Sequence, residues 1–158
     1  MNNYKLSDET KTTPFGNVLH RIVATTTFTL ANGDTINAGD LGGWIEKESN
    51  LSDNAWVSDN AQVYGNAKVS GDALVSGDAQ VYGNALVCGK ARVYGNAQVY
   101  GYAKVYGNAQ VYDKARVYGD TQVYGKARVY GKVKIYGKKH YEAYVKFVET
   151  LKNMEKTE

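Results

Sequence analysis

The sequence predicts an all-β solenoid, and three observations predict it: an unbroken six-residue period, small residues in fixed phase with it, and turn formers after its aliphatic positions. From Leu51 in steps of six the chain reads Leu51, Val57, Val63, Val69, Val75, Val81, Val87, Val93, Val99, Val105, Val111, Val117, Val123, Val129 and Ile135. Nothing is inserted or deleted. Two residues before each stands an Ala, from Ala55 to Ala127, with Thr121 and Val133 as the departures. Ile45 and Gly43 carry the same phase backwards. Residues two apart on a strand share a face, so the small and aliphatic side chains line one side. The residue two after each aliphatic is usually Gly, followed by Asn or Asp, as in Gly65-Asn66 and Gly71-Asp72. That pair tolerates positive φ and lets the chain turn at little cost. Each unit is therefore a very short strand and a corner, and a turn every six residues leaves no room for ordinary hairpins. One unit cannot bury its apolar face, but a stack can. Each buried Val then contributes roughly 1.5–3 kcal/mol, and Ala suits corners that a larger side chain would overpack.

Three segments follow: an N-terminal β-hairpin cap over 1–42, the solenoid over 43–137, and a C-terminal capping helix with a tail over 138–158. Open strand edges invite aggregation, so solenoid ends are usually covered. In the first segment, Val18 to Leu30 carries β-branched residues in alternation, Asn32-Gly33-Asp34 signals a hairpin, and Thr35-Ile36 resumes the strand. After Gly137 the period changes. Tyr144, Phe147, Val148, Leu151 and Met154 fall on one face at helical spacing, which predicts an amphipathic helix over about 140–155 folded onto the last coil.

The 158 residues suit one domain and hold a single cysteine, Cys88, so no intrachain disulfide can form. The first thirty residues lack a basic start followed by an apolar run, and no stretch has the length of a membrane span. A cytoplasmic protein, of a bacterium or an infected host cell, is the expectation. Charge is segregated along the chain. Residues 51–88 hold Lys68 against Asp53, Asp59, Asp72 and Asp78, a net of −3, while residues 89–139 hold eleven basic residues against Asp113 and Asp120, a net of +9.

The six-residue repeats, several beginning Val-Tyr-Gly-Asn-Ala, resemble the hexapeptide-repeat family over about residues 43–137. The resemblance implies a three-sided left-handed β-helix of about five coils, with three hexads per coil. Residues eighteen apart then stack, and the residue after each aliphatic points outward. One face carries Tyr64, Tyr82, Tyr100, Tyr118 and Tyr136, beside Gln62, Gln80, Gln98, Arg116 and Lys134. A second reads Ser58, Ser76, Tyr94, Tyr112 and Tyr130, beside Trp56, Leu74, Arg92, Gln110 and Arg128. The third reads Ser52, Ser70, Cys88, Tyr106 and Tyr124, beside Asn50, Lys68, Leu86, Lys104 and Gln122. The ladders have two available uses. Like residues in register stiffen the coil by packing on one another, and tyrosine rows also make a recognition surface. Basic residues interleaved with tyrosines suit an acidic partner or nucleic acid of the host. The expected partner-binding residues are Tyr100, Tyr118, Tyr136, Arg116 and Lys134, with Tyr112, Tyr130 and Arg128. A homo-oligomer through the same flat face is a further possibility.

Catalytic chemistry finds few candidates. Family enzymes are often acyltransferases with a histidine base and an acyl-CoA donor, and another branch holds a metal on three histidines. Here the two histidines, His20 and His140, both lie outside the solenoid. No insertion between Leu51 and Gly137 builds a pocket. Cys88 sits in an outward Ser/Tyr slot without a histidine beside it, which points to a bystander thiol. No cofactor and no metal site is expected. The short β cap, Gly42-Gly43-Trp44-Ile45-Glu46-Lys47-Glu48 and the repeats also resemble small bacterial, phage and prophage proteins labelled transferase-like from their fold. That resemblance implies a non-catalytic binder, with inhibition of a CRISPR-like host defence complex as one role. An acyltransferase and a structural or assembly module are the alternatives.

Overall fold

A computed structural model describes residues 2–156; the end of the expected tail, residues 157–158, lies outside the described residues. The chain forms a three-sided parallel β-solenoid of about five coils, with antiparallel strands at its N-terminal end and one helix at its C-terminal end. Strands of two or three residues recur every six positions, and each before the last coil pairs in parallel with the strand eighteen residues on. Val63 opposes Val81, Val81 opposes Val99, Val99 opposes Val117, and Val117 opposes Ile135. The aliphatic positions from Leu51 to Ile135 are buried, and most of the alanine positions with them. Stacked coils thus hide the single apolar face of every hexad.

The corners show why the repeat carries one glycine. Gly101 lies at φ +67°, and a Cβ there would meet the Gly119 nitrogen at 2.9 Å. The following Asn or Asp does not share the positive φ, so each corner has one left-handed residue rather than two. Where glycine is replaced, the substitute is aspartate: Asp53, Asp59 and Asp113 have φ of 57°, 56° and 58°. Left-handed backbone costs an L-residue about 1–2 kcal/mol. Each of these carboxylates offsets that cost by accepting the N–H of the glycine one coil on, at 2.9 Å from Gly71, 3.1 Å from Gly77 and 2.9 Å from Gly131.

The N-terminal end holds β1 (Tyr4–Thr12), β2 (Val18–Ala24), β3 (Phe28–Thr29), β4 (Thr35–Ile36) and β5 (Leu41–Ile45). Strands β1, β2 and β5 form antiparallel neighbours, and β5 then pairs in parallel with Gln62–Val63. The cap is therefore continuous with the first wall and builds one eight-stranded sheet. Strand β1 has no clear alternation in its sequence, so periodicity does not announce it. The hairpin of β3 and β4 turns at the Asn32-Gly33-Asp34 signal. It covers the second wall, where Phe28 meets Trp56 edge-on at 5.4 Å. Four positions expected on the outside are inside: Trp56 and Leu74 beneath this hairpin, Asn50 in the first corner, and Tyr64 on the first wall. Asn50 accepts the Glu46 and Lys47 N–H groups and donates to the Gly65 and Ala67 carbonyls, replacing the backbone N–H groups that a regular corner would offer those carbonyls.

The C-terminal helix α1 (Gly137–Lys156) begins where Thr121, the departure in the alanine row, accepts the Gly137 N–H. The solenoid end leaves strand N–H groups unpaired, and buried backbone groups need partners. Three helix side chains supply one acceptor to each wall. His140 Nδ1 accepts the Tyr136 N–H at 3.3 Å, the Tyr144 hydroxyl accepts the Tyr130 N–H at 3.2 Å, and Tyr141 takes a backbone hydrogen bond from Tyr124. The helix packs through Tyr141, Tyr144, Val145 and Val148, whereas Phe147 and Leu151 are exposed. The expected single apolar face is thus only partly used: the acceptors at 141 and 144 set the rotation of the helix and turn Phe147 away.

Both ends are closed by a tyrosine hydroxyl. Tyr4 donates to the Leu51 and Glu48 carbonyls at 2.7 and 2.9 Å, and Tyr144 donates to the Arg128 carbonyl at 3.0 Å. Burial pushes both phenols up to about 12. Desolvation is the largest cause at each, and Glu48 adds to it at Tyr4. The folded state therefore favours the neutral phenol. Its contribution is complete below the unfolded value of about 10 and is lost as pH rises towards 12. Chemical denaturation should give constant stability up to about pH 10 and a steep decline above it. Tyr4→Phe and Tyr144→Phe should each make that decline shallower; an unchanged slope in both would show that the end hydroxyls are not the groups titrating.

Candidate functional site

The eighteen-residue register places like tyrosines directly above one another. On the first wall the ring centroids of Tyr64 and Tyr82, Tyr82 and Tyr100, and Tyr100 and Tyr118 are 5.0, 4.9 and 5.0 Å apart, with planes within 4°. Tyr118 and Tyr136 are 5.3 Å apart and tilted by 45°. On the second wall Tyr94 stacks on Tyr112 and Tyr112 on Tyr130; on the third, Tyr106 stacks on Tyr124. The spacing follows from the distance of about 4.8 Å between neighbouring strands. Within a ladder the ring faces cover one another. What a ladder offers outward is a row of ring edges and hydroxyls.

The first ladder is not exposed along its whole length. Tyr64 is 3% exposed, packed with Leu19 and Trp44 beneath the N-terminal strands. Tyr82 is half-buried and meets Phe15 of the β1–β2 turn at 6.1 Å. Tyr100 and Tyr118 are partly exposed and Tyr136 is 59% exposed. The open part of this wall is thus its basic, C-terminal part.

The eight anticipated residues divide between two walls. Tyr100, Tyr118, Tyr136, Arg116 and Lys134 lie on the first, while Tyr112, Tyr130 and Arg128 lie on the second. The second group borders a cleft of about 560 Å³ with Lys126, Tyr144, Val148 and Lys152. Tyr130 meets Tyr144 there edge-on at 6.4 Å. The sequence spacing places Tyr144 and Val148 on the apolar face of the capping helix. Their signal is weak because Tyr144 and Val148 fit an apolar helix stripe equally well.

Hydroxyl partners change along each ladder. The hydroxyls of Tyr82, Tyr94 and Tyr106 donate to Oε1 of Gln98, Gln110 and Gln122 at 3.4, 3.0 and 3.2 Å, each sixteen residues on. At the corresponding position Tyr100 has Arg116, Tyr118 has Lys134 and Tyr112 has Arg128. Partial burial raises the Tyr100 phenol, Tyr118 adds to the rise, and the Arg116 charge and hydrogen bond oppose it. Among the described residues the ion pair within 4.0 Å is Lys138–Glu142, so the wall cations are not consumed by the described carboxylates.

The candidate catalytic groups are placed as follows. His20 lies on β2 with Nδ1 3.3 Å from the Ser7 carbonyl, and His140 serves the helix start. Cys88 is half-buried, and burial pushes its thiol up, with Lys104 opposing. No helix among the described residues is long and apolar enough to cross a membrane.

Fold and surface together define a β-solenoid repeat protein with a polarised aromatic and basic exterior. The family model of the YdcK beta solenoid repeat matches residues 61–77, 79–93 and 109–125, all within the solenoid. No curated protein matches the chain.

Proposed function

We propose that this chain is a non-catalytic binding protein whose C-terminal first wall engages an anionic macromolecular surface. The observation that carries this reading is the net charge of +9 over residues 89–139, on a surface whose wall cations form no ion pair among the described residues. Charge of one sign on a rigid wall raises the rate of encounter with an opposite partner. Arg and Tyr, which meet here at Arg116 and Tyr100, are the types most often found as binding hot spots. The covered ring faces favour a protein partner over single-stranded nucleic acid, whose bases bind by stacking on open aromatic faces. Within this class we assign the chain to the small bacterial and phage proteins it resembles, acting on a host defence complex of the CRISPR type.

The test is retention of partners from host lysate, with and without nuclease, identified by mass spectrometry. Arg116→Glu with Tyr118→Ala should abolish a nuclease-resistant interaction. Lys68→Gln with Asp72→Asn, on the acidic half, should preserve it. Equal weakening by both pairs would refute a role for the charge polarity. A partner lost on nuclease treatment would replace the protein reading with nucleic acid, and acyl-CoA turnover abolished by His20→Ala or His140→Ala would replace it with an enzyme.

A further inference from the structure

The Tyr100–Tyr118–Tyr136 row carries a more specific inference, which rests on the binding reading above. Glutamine offers an acceptor, and the Tyr82, Tyr94 and Tyr106 hydroxyls spend their hydrogens on it. Arginine and lysine have donors only. Beside Arg116 and Lys134, the Tyr100 and Tyr118 oxygens can accept from the chain but cannot donate to these partners. Their hydrogens are left for an acceptor from outside. The Tyr100 and Tyr118 rungs then each present an O–H donor and a cation together, a pairing suited to a carboxylate.

The row advances by 5.0 Å from Tyr100 to Tyr118 and by 5.3 Å from there to Tyr136. An α-helix rises about 1.5 Å per residue, so residues at i, i+4 and i+7 stand about 6.0 and about 4.5 Å apart along its axis, about 5.3 Å on average, and together span close to the total length of the row. Alternate residues of an extended strand are about 6.6 Å apart and fall out of step within three rungs. We infer that the row receives an acidic α-helix of a protein partner, laid along the solenoid axis with carboxylates at i, i+4 and i+7 over Tyr100, Tyr118 and Tyr136. Charge complementarity and pitch select this occupant; an extended acidic segment has the charge without the pitch.

The experiment uses the full chain and a fluorescent, alanine-rich helical peptide with glutamates at i, i+4, i+7 and i+11. Controls are a peptide of the same composition and helicity with the glutamates distributed around the helix, and an oligothymidylate of equal charge. Fluorescence anisotropy should show the clustered peptide binding at least tenfold more tightly than the distributed one. Arg116→Gln, which removes the charge and offers the hydroxyl an acceptor, should lower its affinity about tenfold. Tyr118→Phe, which removes only the hydroxyl, should lower it severalfold, with both variants remaining folded by circular dichroism. Equal binding of the two peptides would overturn the helix while leaving an unspecific anion-binding surface. Tighter binding of the oligothymidylate through the same residues would overturn it in favour of nucleic acid. If no probe binds, the helix assignment fails; the underlying reading fails as well only if Arg116→Glu with Tyr118→Ala also leaves lysate capture unchanged.

Discussion

Val99→Asp should abolish cooperative folding. Val99 is fully buried, between Val81 and Val117 in the same register of the first wall. Its neighbours there are aliphatic, so a carboxylate would have neither a counter-charge nor water. A buried, unpaired charge belongs to the few changes that cost more than about 4–5 kcal/mol, comparable with the whole stability of many domains. Because each coil rests on its neighbours, damage in the middle also removes support from both sides. The adjacent Tyr100→Ser should behave differently. It removes two ring stackings, worth about 0.5–1.5 kcal/mol each, from a partly exposed position. Its melt should remain cooperative at a lower temperature. Thermal melts followed by far-ultraviolet circular dichroism check both, and equally lost cooperativity would refute the inside–outside assignment.

Tyr64→Ala should cost far more than Tyr118→Ala, although both residues stand in one ladder. Tyr64 is packed among Leu19, Trp44 and Tyr82, and truncating a buried aromatic costs about 3–5 kcal/mol. Tyr118 is partly exposed and should lose about 1–2 kcal/mol, chiefly its contacts with neighbouring rings. Urea unfolding of the two variants measures the difference. Equal midpoints would mean that the N-terminal strands do not cover the first rung.

The candidate site was legible in part. The six-residue period, with the three hexads per coil that the family resemblance implies, puts Tyr100, Tyr118 and Tyr136 in one row beside Arg116 and Lys134, because eighteen-residue stacking converts chain position directly into surface position. The cleft between α1 and the second wall was not legible. Its helix residues Tyr144, Val148 and Lys152 come from a segment outside the repeat, and the rotation of a helix about its axis is not set by its apolar spacing alone. The contrast between Gln98 and Arg116 was visible as letters, but its consequence for hydroxyl direction required the sixteen-residue contact seen in the folded coils.

By itself the sequence determined the strands, the corners and the buried row from Leu51 to Ile135. Those features depend on a local period and on a glycine or aspartate at each left-handed corner, and every coil repeats the same local solution. Only tertiary structure decided how the ends are closed. Asn50, Trp56 and Tyr64 occupy outward repeat positions and are nevertheless buried, because non-repeating strands fold back over the first coils. At the other end His140, Tyr141 and Tyr144 meet the three strand edges of the last coil. The physical reason is the same at both ends. A repeating unit specifies its neighbour, but the first and last units have a side with no neighbour, and the backbone groups there must find partners in segments that the repeat does not encode.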